Sequence, residues 1–161
     1  MNAHTKTIEL RAMQALEKYG CTTPPVPIEK IAEVFELDVI PFPFHDRISG
    51  LLKKEESIIA VNKTHNPLRQ RFTIAHELGH FLLGHEMGGE KYQEEMIDDS
   101  FDKPVSSERE ANMFASAILM PREWIQSEVK KQGMNIEPLA KIFGVSKQAI
   151  TIRLLELNLI K

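Results

Sequence analysis

The spacing of apolar residues changes along the chain, and each change marks an element. From Ile8 to Tyr19, the residues Ile8, Ala12, Met13, Leu16 and Tyr19 recur at helical intervals and Gly20 follows as a stop, which predicts a first helix. After the rigid connector "CTTPPVP", the segment "IEKIAEVFEL" repeats Ile28, Ile31, Ala32, Val34 and Phe35, the stripe of a short amphipathic helix. "DVIPFPF" then reads as an extended edge strand, because its prolines cannot donate to a central ladder. "ISGLL" and "SIIAVN", separated by the polar "KKEE", form a predicted β-hairpin. Asn66 and Pro67 are a helix-start signal, and the helical pattern continues to Gly84.

The polar, mostly acidic connection from Glu86 to Ser107 has the length of a functional loop and offers a place for control of activity. In "SSEREANMFASAILMP", Ser106 or Ser107 supplies the cap, Pro121 stops the run, and Ala111, Phe114, Ala115, Ile118 and Leu119 make the packing stripe. The tail places Leu139, Ala140, Ile142 and Phe143 at helical spacing, breaks at Gly144, and restarts with Ser146 as a cap, a helix-turn-helix pattern. If the second tail helix read DNA, it would expose Lys147, Gln148, Thr151 and Arg153.

Length and composition limit what these elements build. At 161 residues the chain suits one main domain with a small appendage, divided here as 1–121 and 122–161. Hydrophobic content of 42% and charged content of 27% are those of a soluble globular protein, and no apolar run approaches the ~20 residues of a membrane helix. The first twenty residues carry internal charges instead of an apolar signal core, so a cytoplasmic location is expected. The single cysteine, Cys21, permits neither an intramolecular disulfide nor a thiolate zinc site. A formal charge of −3 gives no overall attraction to nucleic acid.

The chemistry is concentrated in "RFTIAHELGHFLLGHE", Arg71 to Glu86. His76-Glu77-Leu78-Gly79-His80 fits H-E-x-x-H: on a helix the two histidines share one face, and Glu77, one step round, stands where a general base takes a proton from an attacking water. Hydrolytic zinc sites use a third protein ligand. His85 lies nine residues after His76, one short of the extended three-histidine pattern, and reads as a surface histidine. Glu108 belongs to the packing stripe of the next predicted helix and leaves it on the buried side near the first turn, whereas Glu110 turns toward Met113 and Ala117. Glu108 is the preferred third ligand, with Glu110 as the alternative. Small residues at Gly79, Ala111 and Ala115 allow the close approach this requires. Asn112 is a candidate hydrogen-bond partner for a ligand histidine. His85, Tyr92 and Arg71 are candidates to stabilise an oxyanion, with none preferred.

Taken together, "RFTIAHELGHFLLGH", the later "EREANMFASAILMP" and the preceding "ISGLL" and "SIIAVN" resemble the ImmA/IrrE family of zinc metallo-endopeptidases. The resemblance implies an α+β, gluzincin-like zincin fold: a short three-stranded sheet, a metal-binding helix and a glutamate helix, to which the tail adds a helix-turn-helix-like helical subdomain. It implies one Zn2+ per chain held by His76, His80 and Glu108, with Glu77 catalytic, and a helix-turn-helix transcriptional repressor of a mobile element or stress response as the protein substrate. An extended substrate segment would add to "SIIAVN" or its neighbouring strand. The alternatives are a DNA-binding regulator, or a protein that sequesters a repressor, each with a non-catalytic metal site.

Overall fold

In a computed structural model, which describes residues 1–86 and 105–161, the chain starts in helix earlier than its apolar spacing predicts. Helix α1 spans Ala3–Tyr19 because Asn2 caps it, the side-chain oxygen accepting from the Thr5 N–H at 2.8 Å. Gly20, at φ 82°, ends it. The buried face is Ile8, Ala12, Ala15 and Leu16; Met13 and Tyr19, counted in the predicted stripe, are instead 41% and 38% exposed. Helix α2 (Ile28–Val34) buries Ile28, Ile31 and Ala32, as its periodicity requires.

Strands β1 (Asp38–Phe42), β2 (Gly50–Lys53) and β3 (Ile58–Asn62) form one sheet in the order β1-β3-β2. β2 and β3 are the predicted antiparallel hairpin, with Leu52 opposite Ile59, and β1 runs parallel to β3. The proline-bearing strand lies at an edge, where the missing N–H of Pro41 costs no ladder bond. "SIIAVN" is the central strand, paired on both sides, so it offers no edge to a substrate; among the described residues its neighbour β2 is paired on one side only. At the end of β3 the buried Asn62 amide donates to the carbonyls of Ile48 (2.8 Å) and His45 (3.1 Å), fixing the segment that leads into β2.

Helix α3 (Pro67–Leu82) begins as predicted, with Asn66 accepting from the Arg69 N–H at 3.0 Å. Helix α4 (Val105–Leu119) already contains Ser106 and Ser107, so neither is the cap; serine is tolerated in a first turn and does not mark the boundary. Its stripe of Ala111, Phe114, Ala115, Ile118 and Leu119 is fully buried. Helices α3 and α4 meet at Gly79, where an added Cβ would stand 3.0 Å from the Phe114 ring. Helix α5 (Arg122–Gln132) has no counterpart among the predicted elements: it packs through only Trp124, Ile125 and Val129, a stripe too short to stand out among its polar residues.

Helices α6 (Ile136–Phe143) and α7 (Lys147–Glu156) turn at Gly144, and Ser146 caps α7 by accepting from the Ala149 N–H at 3.1 Å. Their Phe143, Ile150 and Leu154 join the same apolar cluster as Ile74 and Leu78 of α3 and Phe114 of α4. Arg153 is buried, not exposed with Lys147 and Gln148 as a DNA-reading helix would need. It occupies the same face as Ile150 and Leu154, donates to the Met120 carbonyl at 2.9 Å, and forms a bidentate pair with Glu9 of α1 at 2.7 and 3.0 Å. Among the described residues, no helix is long and apolar enough to cross a membrane.

Candidate metal centre

His76 and His80 leave the same face of α3 one turn apart, and Glu108 reaches them from the first turn of α4. The two Nε2 atoms are 3.0 Å apart; Glu108 Oε2 lies 3.1 Å from His76 Nε2, and Oε1 lies 2.9 Å from His80 Nε2. Among the described residues these three form the one group able to offer a metal three donors within 4.8 Å of one another. Donors bound to zinc at 2.0–2.1 Å in tetrahedral geometry stand about 3.3 Å apart. The observed triangle therefore needs to open by only a few tenths of an ångström. Two imidazole nitrogens and a carboxylate aimed at one point form a donor set that suits a divalent ion such as zinc.

The surroundings prepare both rings. Asn112, one turn beyond Glu108, places its side-chain oxygen 2.8 Å from His76 Nδ1, an acceptor that can hold a ring proton there while Nε2 faces Glu108. Burial alone would raise the Glu108 carboxyl, but hydrogen bonds and charge from His76 and His80 outweigh it and hold the group well below the usual carboxylate range. Burial likewise opposes charge on His76, yet its hydrogen bond to Glu108 and the nearby Glu77 and Glu108 charges leave its pKa raised. Glu77 is 4% exposed, one residue along α3. Gly50, at the start of β2, packs against this face: an added Cβ would lie 2.5 Å from the Thr73 methyl and 2.8 Å from the Ala60 carbonyl oxygen, with Glu77 Cγ at 3.8 Å.

These groups border a cleft of about 210 Å³, with residues 47–50 on one wall, His76 and Glu77 on α3, and Glu108 and Asn112 opposite. Phe72 and Asn112 also line an adjoining cavity of about 730 Å³ that extends between α3 and α7.

The structure thus brings together His76, Glu77, His80 and Glu108. Glu110 stays outside the donor triangle, since its position on α4 carries it to His85 and His4. His85 is no bystander: its Nδ1 is 2.9 Å from His80 Nδ1. The contact is not legible in the spacing of ligands, although Gly84 followed by His85 is the signal of a helix-ending turn that folds the next residue back. Both described oxyanion candidates are committed elsewhere, His85 to His80 and Glu110, and Arg71 to the carbonyls of Val26, Phe143 and Gly144. Tyr92 and most of the acidic connection from Glu86 to Ser107 lie outside the described residues.

Comparisons with known proteins place the chain in a family. Residues 32–155 match the family model described as peptidase M78, IrrE N-terminal-like domain. The radiation response metalloprotease IrrE of Deinococcus radiodurans is 30% identical over 113 residues, covering 66% of this chain and 31% of that protein. Its counterpart in Deinococcus deserti is 33% identical over 94 residues, covering 58% and 33%. The chain therefore spans about a third of the length of these relatives. A solved Mycobacterium tuberculosis transcriptional regulator shares the fold at a TM-score of 0.70 and 20% identity, covering 92% of this chain and 46% of that one. From the family match over most of its length, the chain belongs to the ImmA/IrrE family.

Proposed function

We propose that this protein is a zinc-dependent endopeptidase that hydrolyses a peptide bond in a helix-turn-helix transcriptional repressor. The observation that carries the reading is the convergence of His76, His80 and Glu108 donor atoms beside the buried Glu77, at the floor of an open cleft. One zinc ion per chain, when bound, supplies a Lewis acid that polarises the scissile carbonyl and acidifies the attacking water. Glu77 accepts the proton of that water and passes it to the leaving amine, so the proton balance closes within one carboxylate. Asn112 holds His76 in its ligating orientation. The free side of β2, whose first residue lies against Glu77, receives an extended substrate segment as an added strand.

The repressor substrate follows from the family resemblance, and it restricts cleavage to segments able to lie extended in the cleft. A DNA-reading role is less well supported, because the inward Arg153 removes a cation from the face that would meet phosphates. Metal content measured for wild type, His80→Ala, Glu108→Gln and Glu77→Gln tests the reading, alongside incubation with purified helix-turn-helix repressors. The expected result is near one zinc per chain in wild type and Glu77→Gln, loss in the other two, and repressor cleavage by wild type alone. Wild type without tightly bound zinc would overturn it. Cleavage that survives Glu77→Gln would remove Glu77 as the base, and repressor binding without cleavage by wild type would favour sequestration.

A further inference from the structure

His80 sits at the head of a hydrogen-bonded chain that leads away from the donor triangle. Its Nδ1 meets His85 Nδ1 at 2.9 Å, His85 Nε2 meets Glu110 Oε2 at 2.8 Å, and Glu110 Oε1 meets His4 Nε2 at 2.9 Å. The direction of every bond follows from the first. If Nε2 of His80 is a lone pair facing Glu108 and His76, the ring proton is on Nδ1 and is donated to His85 Nδ1. His85 must then carry its own proton on Nε2, and it donates that proton to Glu110. A neutral imidazole has one donor and one acceptor, so this pair of histidines can satisfy each other in only one order.

The backbone places His85 for this contact. Helix α3 ends in a turn where Gly84, at φ 71°, donates to the Phe81 carbonyl at 3.2 Å and the His85 N–H donates to the His80 carbonyl at 3.1 Å. This reversal folds His85 back over the last turn, and the two imidazoles meet edge to face with centroids 5.0 Å apart. Lys54 Nζ holds the His85 carbonyl from the hairpin between β2 and β3. His85 is 11% exposed and His80 1%, so water does not substitute readily for either partner.

We propose that His85 and Glu110 are positioning residues that hold His80 in the Nδ1–H tautomer, with Nε2 presented to the metal. This rests on the metal site of the proposed function and adds to it a histidine interposed between ligand and carboxylate. Without His85, the buried Nδ1–H of His80 loses its acceptor, and the alternative tautomer, which cannot ligate through Nε2, becomes competitive.

The test strips the protein of metal and titrates it with zinc against a chromogenic chelator, for wild type, His85→Ala, His85→Asn, Glu110→Ala and Glu108→Gln. Metal-free thermal unfolding is recorded for each, and nitrogen NMR of the imidazoles reports the His80 tautomer. His85→Ala is expected to weaken zinc binding by about 10- to 100-fold. His85→Asn, which keeps an acceptor near the Nδ1 position, recovers much of the loss, and Glu110→Ala falls between. Wild-type His80 is the Nδ1–H tautomer, and His85→Ala mixes the two forms. Wild-type zinc affinity in folded His85→Ala and Glu110→Ala, or a loss that His85→Asn does not restore, would overturn the proposal. If wild type binds zinc and Glu108→Gln does not, that failure concerns His85 alone; if wild type binds none, the metal-site reading falls with it.

Discussion

Asn112 Oδ1 on α4 lies 2.8 Å from His76 Nδ1 on α3, so the glutamate helix contributes twice to the centre, through Glu108 as donor and through Asn112 as the group that aims a donor. Asn112→Leu keeps the volume and removes the acceptor. Zinc affinity is expected to fall by about tenfold or more, with the metal-free fold retained. Chelator competition and far-UV circular dichroism on the same sample check both halves of this expectation.

Gly50 lacks room for a side chain. Gly50→Ala forces a Cβ against the Thr73 methyl and the Ala60 carbonyl, and the latter is backbone that cannot rotate away. A loss of about 2 kcal/mol in urea unfolding is expected. Because the three donors lie on α3 and α4, zinc content should persist while repressor hydrolysis drops, as β2 moves away from Glu77.

Arg153→Met removes the cation that neutralises Glu9 and satisfies the Met120 carbonyl. Breaking one side of such a buried pair costs about 3 kcal/mol. The double variant Glu9→Gln with Arg153→Met should recover part of the loss, because no unpaired carboxylate is then left inside. Equilibrium unfolding of both variants measures the difference. Equal stability of the single and double variants would show that the carboxylate is not the source of the cost.

Metal removal should lower stability through mass action alone. At a free zinc concentration 100-fold above Kd, binding adds about 2.7 kcal/mol. Differential scanning calorimetry with and without chelator is expected to show a lower Tm for the stripped wild type and no change for His80→Ala.

Elements with strong periodicity were legible in the sequence. The α3 boundaries follow from Asn66, Pro67 and Gly84, and the edge position of β1 follows from its prolines, because backbone chemistry at those positions leaves few choices. Glu108 approaches His76 and His80 while Glu110 approaches His85 and His4, because angular position on a helix is fixed by 3.6 residues per turn. Pairings across the chain were not legible. That β1 would lie parallel to β3, that Arg153 would turn inward to Glu9, and that His85 would meet His80 all depend on which elements become neighbours. Helix α5 escaped for a different reason: its apolar contact is limited to Trp124, Ile125 and Val129, so the apolar pattern carries little of its signal.

Arg71 gives the metal helix a rotational phase. Near its N-terminal end the guanidinium donates to Val26, Phe143 and Gly144 carbonyls, which lie before the sheet and in the tail. A helix turns by about 100° per residue, so a small rotation of α3 about its axis would swing His76 and His80 away from Glu108 together. The three carbonyls act as a key against that rotation. The centre is therefore aimed from residues remote from it in sequence, and a change as slight as Gly144→Ala, at φ 63° and with its Cβ 3.2 Å from Arg71 Nε, would be felt as a misdirected imidazole.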